Sequence, residues 1–142
     1  MKNMSAFLKK VPVQVMIIAF VSWAIYLAMA PPVEEVEDIL TAGNTAYLAV
    51  GTHGVKVLDI SDPANPVEVG DYDTYGSAKA LALHENSLFV ADERGGLLAL
   101  DVSDPKKPSL RWVFEQSKWA QDVVFKDGFV YLADAEQGVL IV

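Results

Sequence analysis

Cysteine is absent from the 142 residues, which excludes disulfides, thiolate-bound zinc, a cysteine nucleophile and lipid attachment through sulfur. Histidine is nearly as scarce. His53 and His84 are the two in the chain, too little material for a histidine metal centre. No Gly-x-Ser-x-Gly turn marks a nucleophile that either could serve. Positive charge is thin over most of the length. All nineteen Asp and Glu lie after residue 30, where eight Lys and Arg leave that part at −11. An acidic body without a basic cluster argues against nucleic acid as a partner, because phosphates need Lys and Arg. Helical spacing of apolar residues is also missing after residue 30, which argues against a helical repeat.

Charge of either sign is missing from Val11 to Ala30, VPVQVMIIAFVSWAIYLAMA. A helix of that length spans about 30 Å, the thickness of the hydrocarbon layer of a membrane. Lys2, Lys9 and Lys10 precede it and acidic residues follow it, predicting an amino terminus inside and the remainder exported. Two fates stay open for this hydrophobic helix. Ala28-Met29-Ala30 has the small-x-small form of a signal peptidase site. Pro31 is a poor residue to follow a scissile bond, however, and Trp23 and Tyr26 suit the outer interface of a retained anchor. Residues 1–30 are therefore read as a signal peptide or membrane anchor, and 31–35 as a linker. The expected location is extracytoplasmic: cell surface, periplasm or secreted.

What the chain does have is repetition. VLDISDPANP (Val57 to Pro66) returns 42 residues later as ALDVSDPKKP (Ala99 to Pro108). Upstream, Asn44, Tyr47, Ala49 and Gly54 become Asn86, Phe89, Ala91 and Gly96 at the same spacing, and a third copy begins at Gly128-Phe129-Val130-Tyr131-Leu132-Ala133-Asp134. A fixed period of this size marks a propeller or a solenoid. Each unit reads as short strands rich in Val, Leu, Ile, Ala and aromatics. The first comprises VEDILTAG, AKALALHE or AQDVVFKD, and the second TAYLAV, SLFVAD or FVYLAD. The third is VKVLDI, LLALDV or VLIV, and the fourth VEVGDYDT or SLRWVFEQ. Glycine-closed turns GTHG, ERGG and AEQG join the second strand to the third, glycine admitting the positive φ that a tight hairpin demands. No helix follows these glycines, so they are not phosphate cradles. In SDPxxP, Ser and Asp bond back to nearby amides and each proline ends the ladder.

The prediction is an all-β chain: a β-propeller of four-stranded antiparallel blades, following the hydrophobic helix. Blade 1 is assigned to residues 36–77, blade 2 to 78–119 and a partial blade 3 to 120–142. The middle strands are almost continuously apolar, as befits sheets covered on both faces. About two and a half blades are present where closure needs about four to eight. The expectation is thus a piece of a larger ring, or several copies assembling into one.

The pattern resembles the LVIVD-repeat family of bacterial and archaeal cell-surface β-propellers. The resemblance rests on Leu58-Asp59-Ile60-Ser61-Asp62-Pro63 with Pro66, and Leu100-Asp101-Val102-Ser103-Asp104-Pro105 with Pro108. Tyr47, Phe89 and Tyr131, with Ala91-Asp92 and Ala133-Asp134, supply the other half, and Val50 departs from it where the other units hold aspartate. It implies an extracellular or periplasmic propeller and carries over no catalytic residue.

Several residues invite a functional reading beside a structural one. Asp59-x-Ser61-Asp62 spaces oxygens as a calcium site could, but lacks the further carboxylate or glycine of a calcium loop and suits a tight turn. Asp38 and Asp122 fall at equivalent places near the start of the innermost strand, with Ala80 between them in the series. They either form a carboxylate ring for a cation or basic partner, or are solvated or bonded to backbone amides of the next blade. Tyr72, Tyr75, Trp112 and Trp119 cluster about the fourth strand and the link to the next blade. Such aromatics make a contact surface for a peptide or sugar, or pack blades together. The candidate binding residues are Asp38, Asp122, Tyr72, Tyr75 and Trp119, with no catalytic, cofactor or metal residue among them. The reading is a non-enzymatic scaffold that binds a protein or glycan at the envelope. The alternative is part of a secreted propeller enzyme whose channel site is built by further blades, an analogy at the level of fold alone.

Overall fold

A computed structural model describes residues 35–142. The expected helix at 11–30 and nearly all of the linker lie outside the described residues. Within them the chain is all β, with three antiparallel sheets in sequence order. Blade 1 is β1 (Asp38–Ala42), β2 (Thr45–Ala49), β3 (Val55–Asp59) and β4 (Val67–Tyr72). Blade 2 is β5 (Ala80–His84), β6 (Ser87–Ala91), β7 (Leu97–Asp101) and β8 (Ser109–Phe114). Blade 3 has three strands, β9 (Ala120–Lys126), β10 (Phe129–Asp134) and β11 (Gly138–Ile141). Every sheet is a simple meander in which each strand pairs with the next.

The registers repeat as the sequence does. Tyr47 pairs with Val57 and Phe89 with Ala99. Blades 1 and 2 bulge at the same place in their outer hairpins, between Val57 and Leu58 and between Ala99 and Leu100. Glu85 and Asp127 open the tight turns between first and second strands with φ of 51° and 52°. The left-handed region is uncommon for residues other than glycine, and Gly43 occupies the same place in blade 1 at 57°.

Period-two alternation sends successive side chains to opposite faces, and the blades use this to stack. Tyr47, Ala49, Val55 and Val57 leave blade 1 on one side and meet Leu88, Val90, Leu98 and Leu100 of blade 2 in one core. Phe89, Ala91, Leu97 and Ala99 leave blade 2 on its far side and meet Val123, Val130 and Leu132 of blade 3 in a second. Blade 2 is therefore covered on both faces, which is why its middle strands need no polar alternation. Burying one such Leu or Val contributes about 1.5–3 kcal/mol, against about 1 kcal/mol net for a hydrogen bond. Apolar contact holds the blades together, and polar contacts fix their register. In blade 3, Val139 and Ile141 stand where Val55 and Val57 are buried in blade 1, yet are 69% and 62% exposed.

The first strands lie nearest one another, β1 against β5 and β5 against β9. Aromatic contacts add to the second interface. His84 stacks on Phe125 at 4.1 Å between ring centres, and Phe125 lies parallel to Phe89 at 5.7 Å. At the edge where SDPxxP turns gather, blade 2's turn sits on Gly70 of β4. A Cβ there would run into the Pro105 carbonyl and the Lys106 backbone.

Candidate functional site

Two short connections carry the chain from blade to blade, Asp73–Lys79 and Glu115–Trp119, and each is held by one buried carboxylate of the blade it enters. Asp92, at the end of β6, is fully buried. Its Oδ1 accepts the Thr74 hydroxyl at 2.5 Å and its Oδ2 accepts the Gly76 amide at 2.7 Å. Asp134, at the end of β10, accepts five donors. On Oδ2 these are the Ser117 hydroxyl at 2.6 Å and the Lys118 and Trp119 amides at 3.0 and 3.1 Å. On Oδ1 they are the amides of Glu136 and Gln137, both at 2.8 Å. Burial raises the pKa of both acids, and the outcome depends on the number of donors. At Asp92 desolvation prevails over two hydrogen bonds, and the neighbouring Asp73 and Glu93 push the same way, so its pKa lies above the ordinary value. At Asp134 the hydrogen bonds overcome desolvation and the carboxyl is held far below the usual range.

The turns between second and third strands complete the attachment. Gly51 accepts the Ala78 amide at 2.9 Å. In the next blade Glu93 and Ala120 exchange both backbone bonds, at 3.0 and 3.1 Å. Glycines allow this close approach. A Cβ on Gly76 would overlap the Asp92 carbonyl, and one on Gly95 would overlap the Asp92 carboxylate.

Held in this way, the first connection presents Tyr75. Its flanking residues, Thr74 and Gly76, both bond Asp92, yet Tyr75 itself is 98% exposed. Clefts of about 490 and 430 Å³ open on either side, and Tyr75 and Arg94 line both. The larger cleft runs between the two blades. Its apolar wall is Leu98, Leu110 and Val113, and its polar groups are Asp73, Glu115, Arg94 and Lys118. Arg94 lies over the Trp119 ring at 4.7 Å from its centre, a contact that steadies the guanidinium. An apolar wall with a few converging polar groups is the usual make-up of a ligand site, and the larger cleft has both and a volume within the common range of about 300–1,000 Å³.

The five residues singled out from the sequence separate here. Tyr72 and Tyr75 both line the larger cleft, but Tyr72 also packs against the core between blades 1 and 2. Trp119 supports Arg94 from below. Asp38 bonds to backbone. Its Oδ1 accepts the Ile39 amide and its Oδ2 the Leu81 amide of blade 2, each at 2.8 Å, while Glu37 beside it pairs with Lys79 of blade 2 at 2.6 Å. Asp122 accepts the Val123 amide at 2.8 Å. Ala80, at the same repeat position, has no side-chain oxygen to cap Leu81, and Asp38 of the preceding blade caps it. The carboxylates of SDPxxP face inward to their own turns. Asp59 takes the Ser61 amide and Asp62 the Ala64 amide, and Asp101 and Asp104 repeat both bonds. Trp112 tilts against Phe89 at 6.1 Å on the outer hairpin of blade 2. His53 lies exposed in its turn.

Arg94 and Lys118 were not singled out from the sequence. Thr52, Arg94 and Glu136 occupy one position of a turn in which the closing glycine alone recurs in all three units, so no repeated signal pointed to Arg94.

The fold matches solved structures. A crystal structure of the computationally designed Ika4 protein aligns with a TM-score of 0.63 and 18% identity, covering 76% of this chain and 65% of that one. A crystal structure of the computationally designed Ika8 protein aligns with a TM-score of 0.62 and 18% identity, covering 75% of this chain and 32% of that one. This chain thus spans less than two thirds of either. No curated protein matches it. The LVIVD repeat model matches three consecutive segments, residues 35–74, 75–114 and 118–142, so the chain belongs to the LVIVD-repeat family and is a β-propeller-like repeat protein.

Proposed function

We propose that this is a non-enzymatic, extracytoplasmic propeller scaffold that binds a protein or glycan, and that the binding residues are Tyr75 and Arg94 on the edge where the blades connect. One observation carries the reading. Tyr75 is a large aromatic that is 98% exposed on a connection fixed at both neighbouring residues. Packing explains Tyr72 and support of Arg94 explains Trp119, but neither explains Tyr75. An aromatic presented on a fixed backbone loses little conformational freedom when it is covered, which favours binding. The charge gradient around the uncharged run at 11–30 supports placement outside the cytoplasm.

The test is a binding screen of the full chain against immobilised glycans and peptides, repeated with Tyr75→Ala and Arg94→Ala. A ligand whose binding falls about tenfold or more in both variants supports the reading. Ligands that bind the variants as well as the parent would refute it.

A further inference from the structure

Building on that reading of the cleft, we infer that its ligand is an uncharged saccharide chain that crosses Tyr75, with units on either side of the ring. Three observations select this chemistry. The first is charge. Asp73 and Glu115 face Arg94 and Lys118 in the larger cleft, and Glu93 faces Arg94 in the smaller. Two acids and two bases line the larger cleft and one of each the smaller, with no excess of positive charge, on a body that carries −11. An anionic ligand would meet repulsion, whereas hydroxyls both donate and accept and can satisfy each of these groups. The second is the backbone. Peptides commonly bind by adding main-chain hydrogen bonds, and four of the amides along this rim are already engaged. Gly76 bonds to Asp92, Lys118 and Trp119 to Asp134, and Ala78 to Gly51. The third is shape. Two clefts of about 490 and 430 Å³ share the Tyr75–Arg94 saddle, and the exposed ring offers a flat face on which the C–H face of a sugar ring can rest.

The experiment titrates the full chain, in a sugar-free detergent, with maltohexaose, cellohexaose and chitohexaose while nuclear magnetic resonance follows Tyr75 and Arg94. At least one hexasaccharide is expected to shift both residues, with its monosaccharide binding about tenfold or more weakly. Tyr75→Ala is expected to weaken binding by about tenfold or more. Tyr75→Phe, which keeps the ring, is expected to stay within about twofold, as is the parent between low and high salt. A pool of extended peptides serves as the comparison. If the peptides shift Tyr75 and Arg94 and the sugars do not, the saccharide inference is overturned while the cleft remains the binding site. If neither moves these residues, both readings fail. Binding that collapses in high salt would also overturn the inference, because it would identify a charged ligand.

Discussion

Thr74, in the connection that follows β4, donates its hydroxyl to Asp92, 18 positions along and in the next blade, at 2.5 Å with both side chains buried. The bond ties the connection leaving blade 1 to the end of β6 in blade 2. Asp92 holds the connection that enters its own blade, and Asp134 does the same for blade 3. At the equivalent place in blade 1 stands Val50, 2% exposed and apolar.

Asp92→Ala is expected to lower stability by about 1–3 kcal/mol, because the Thr74 hydroxyl and Gly76 amide lose a buried acceptor. Thr74→Val removes one partner and is expected to cost less. Asp134→Ala strands five donors instead of two and should be the most damaging of the three. Urea midpoints with unchanged slopes would rank them.

The pH dependence follows from the same carboxylates. Asp101 is brought from 3.8 to about 2, chiefly by the Ser103 amide and hydroxyl and then by Arg111. A depressed folded pKa contributes stability that is present above the unfolded value and lost as pH falls through the folded one. The parent should therefore weaken between about pH 4 and pH 2, and Asp101→Asn should show a shallower decline across that window. Asp134 acts in the same direction and extends the loss to lower pH. Asp92, with its pKa raised, has the opposite sign, favouring the fold in acid and less as pH rises through its folded value. Thermal or urea unfolding across the acid range checks the sign for each variant.

Two glycines with positive φ should respond differently to alanine. Gly43 has φ +57 and open space where a Cβ would stand, whereas Gly54 has φ +72 with the Tyr72 carbonyl and the Thr74 amide in the way. Gly43→Ala carries the left-handed penalty of about 1–2 kcal/mol. Gly54→Ala adds steric overlap to that penalty and should be clearly worse, as parallel urea titrations would show.

Removing the Tyr75 ring is expected to leave stability within about 0.5 kcal/mol, as for other exposed substitutions. Arg94→Ala should cost about 0.5–1 kcal/mol through the lost contact with Trp119. Calorimetric melting of both variants would separate a ring held for presentation from one that supports the fold.

The repeat made the blades legible. Tyr47, Phe89 and Tyr131 recur at fixed spacing, and so do the alternating residues that the structure places between sheets. The partners of the buried aspartates were less accessible to that reasoning. Asp92 and Asp134 are equivalent, but Thr74 and Ser117 are 43 positions apart rather than 42, so aligning the units does not pair them. For Asp38 and Asp122 the sequence left a ring and backbone partners both open, because periodicity reports position and not bonding. Their oxygens accept backbone amides, one of them across the blade boundary. Tyr75 and Tyr72 read alike in sequence, and only burial tells them apart. The pairing of Arg94 with Trp119 joins one blade's turn to the next blade's connection, a proximity that no local spacing encodes.

The most direct test of the account is native-state hydrogen exchange at the Gly76 amide, which donates to Asp92 Oδ2 at 2.7 Å beside the exposed Tyr75. Strong protection in the parent, lost in Asp92→Ala while amides inside β6 stay protected, is the predicted result. Exchange in the parent as fast as in the SDPxxP turns would contradict it, because Tyr75 would then ride on a loose loop instead of a fixed one.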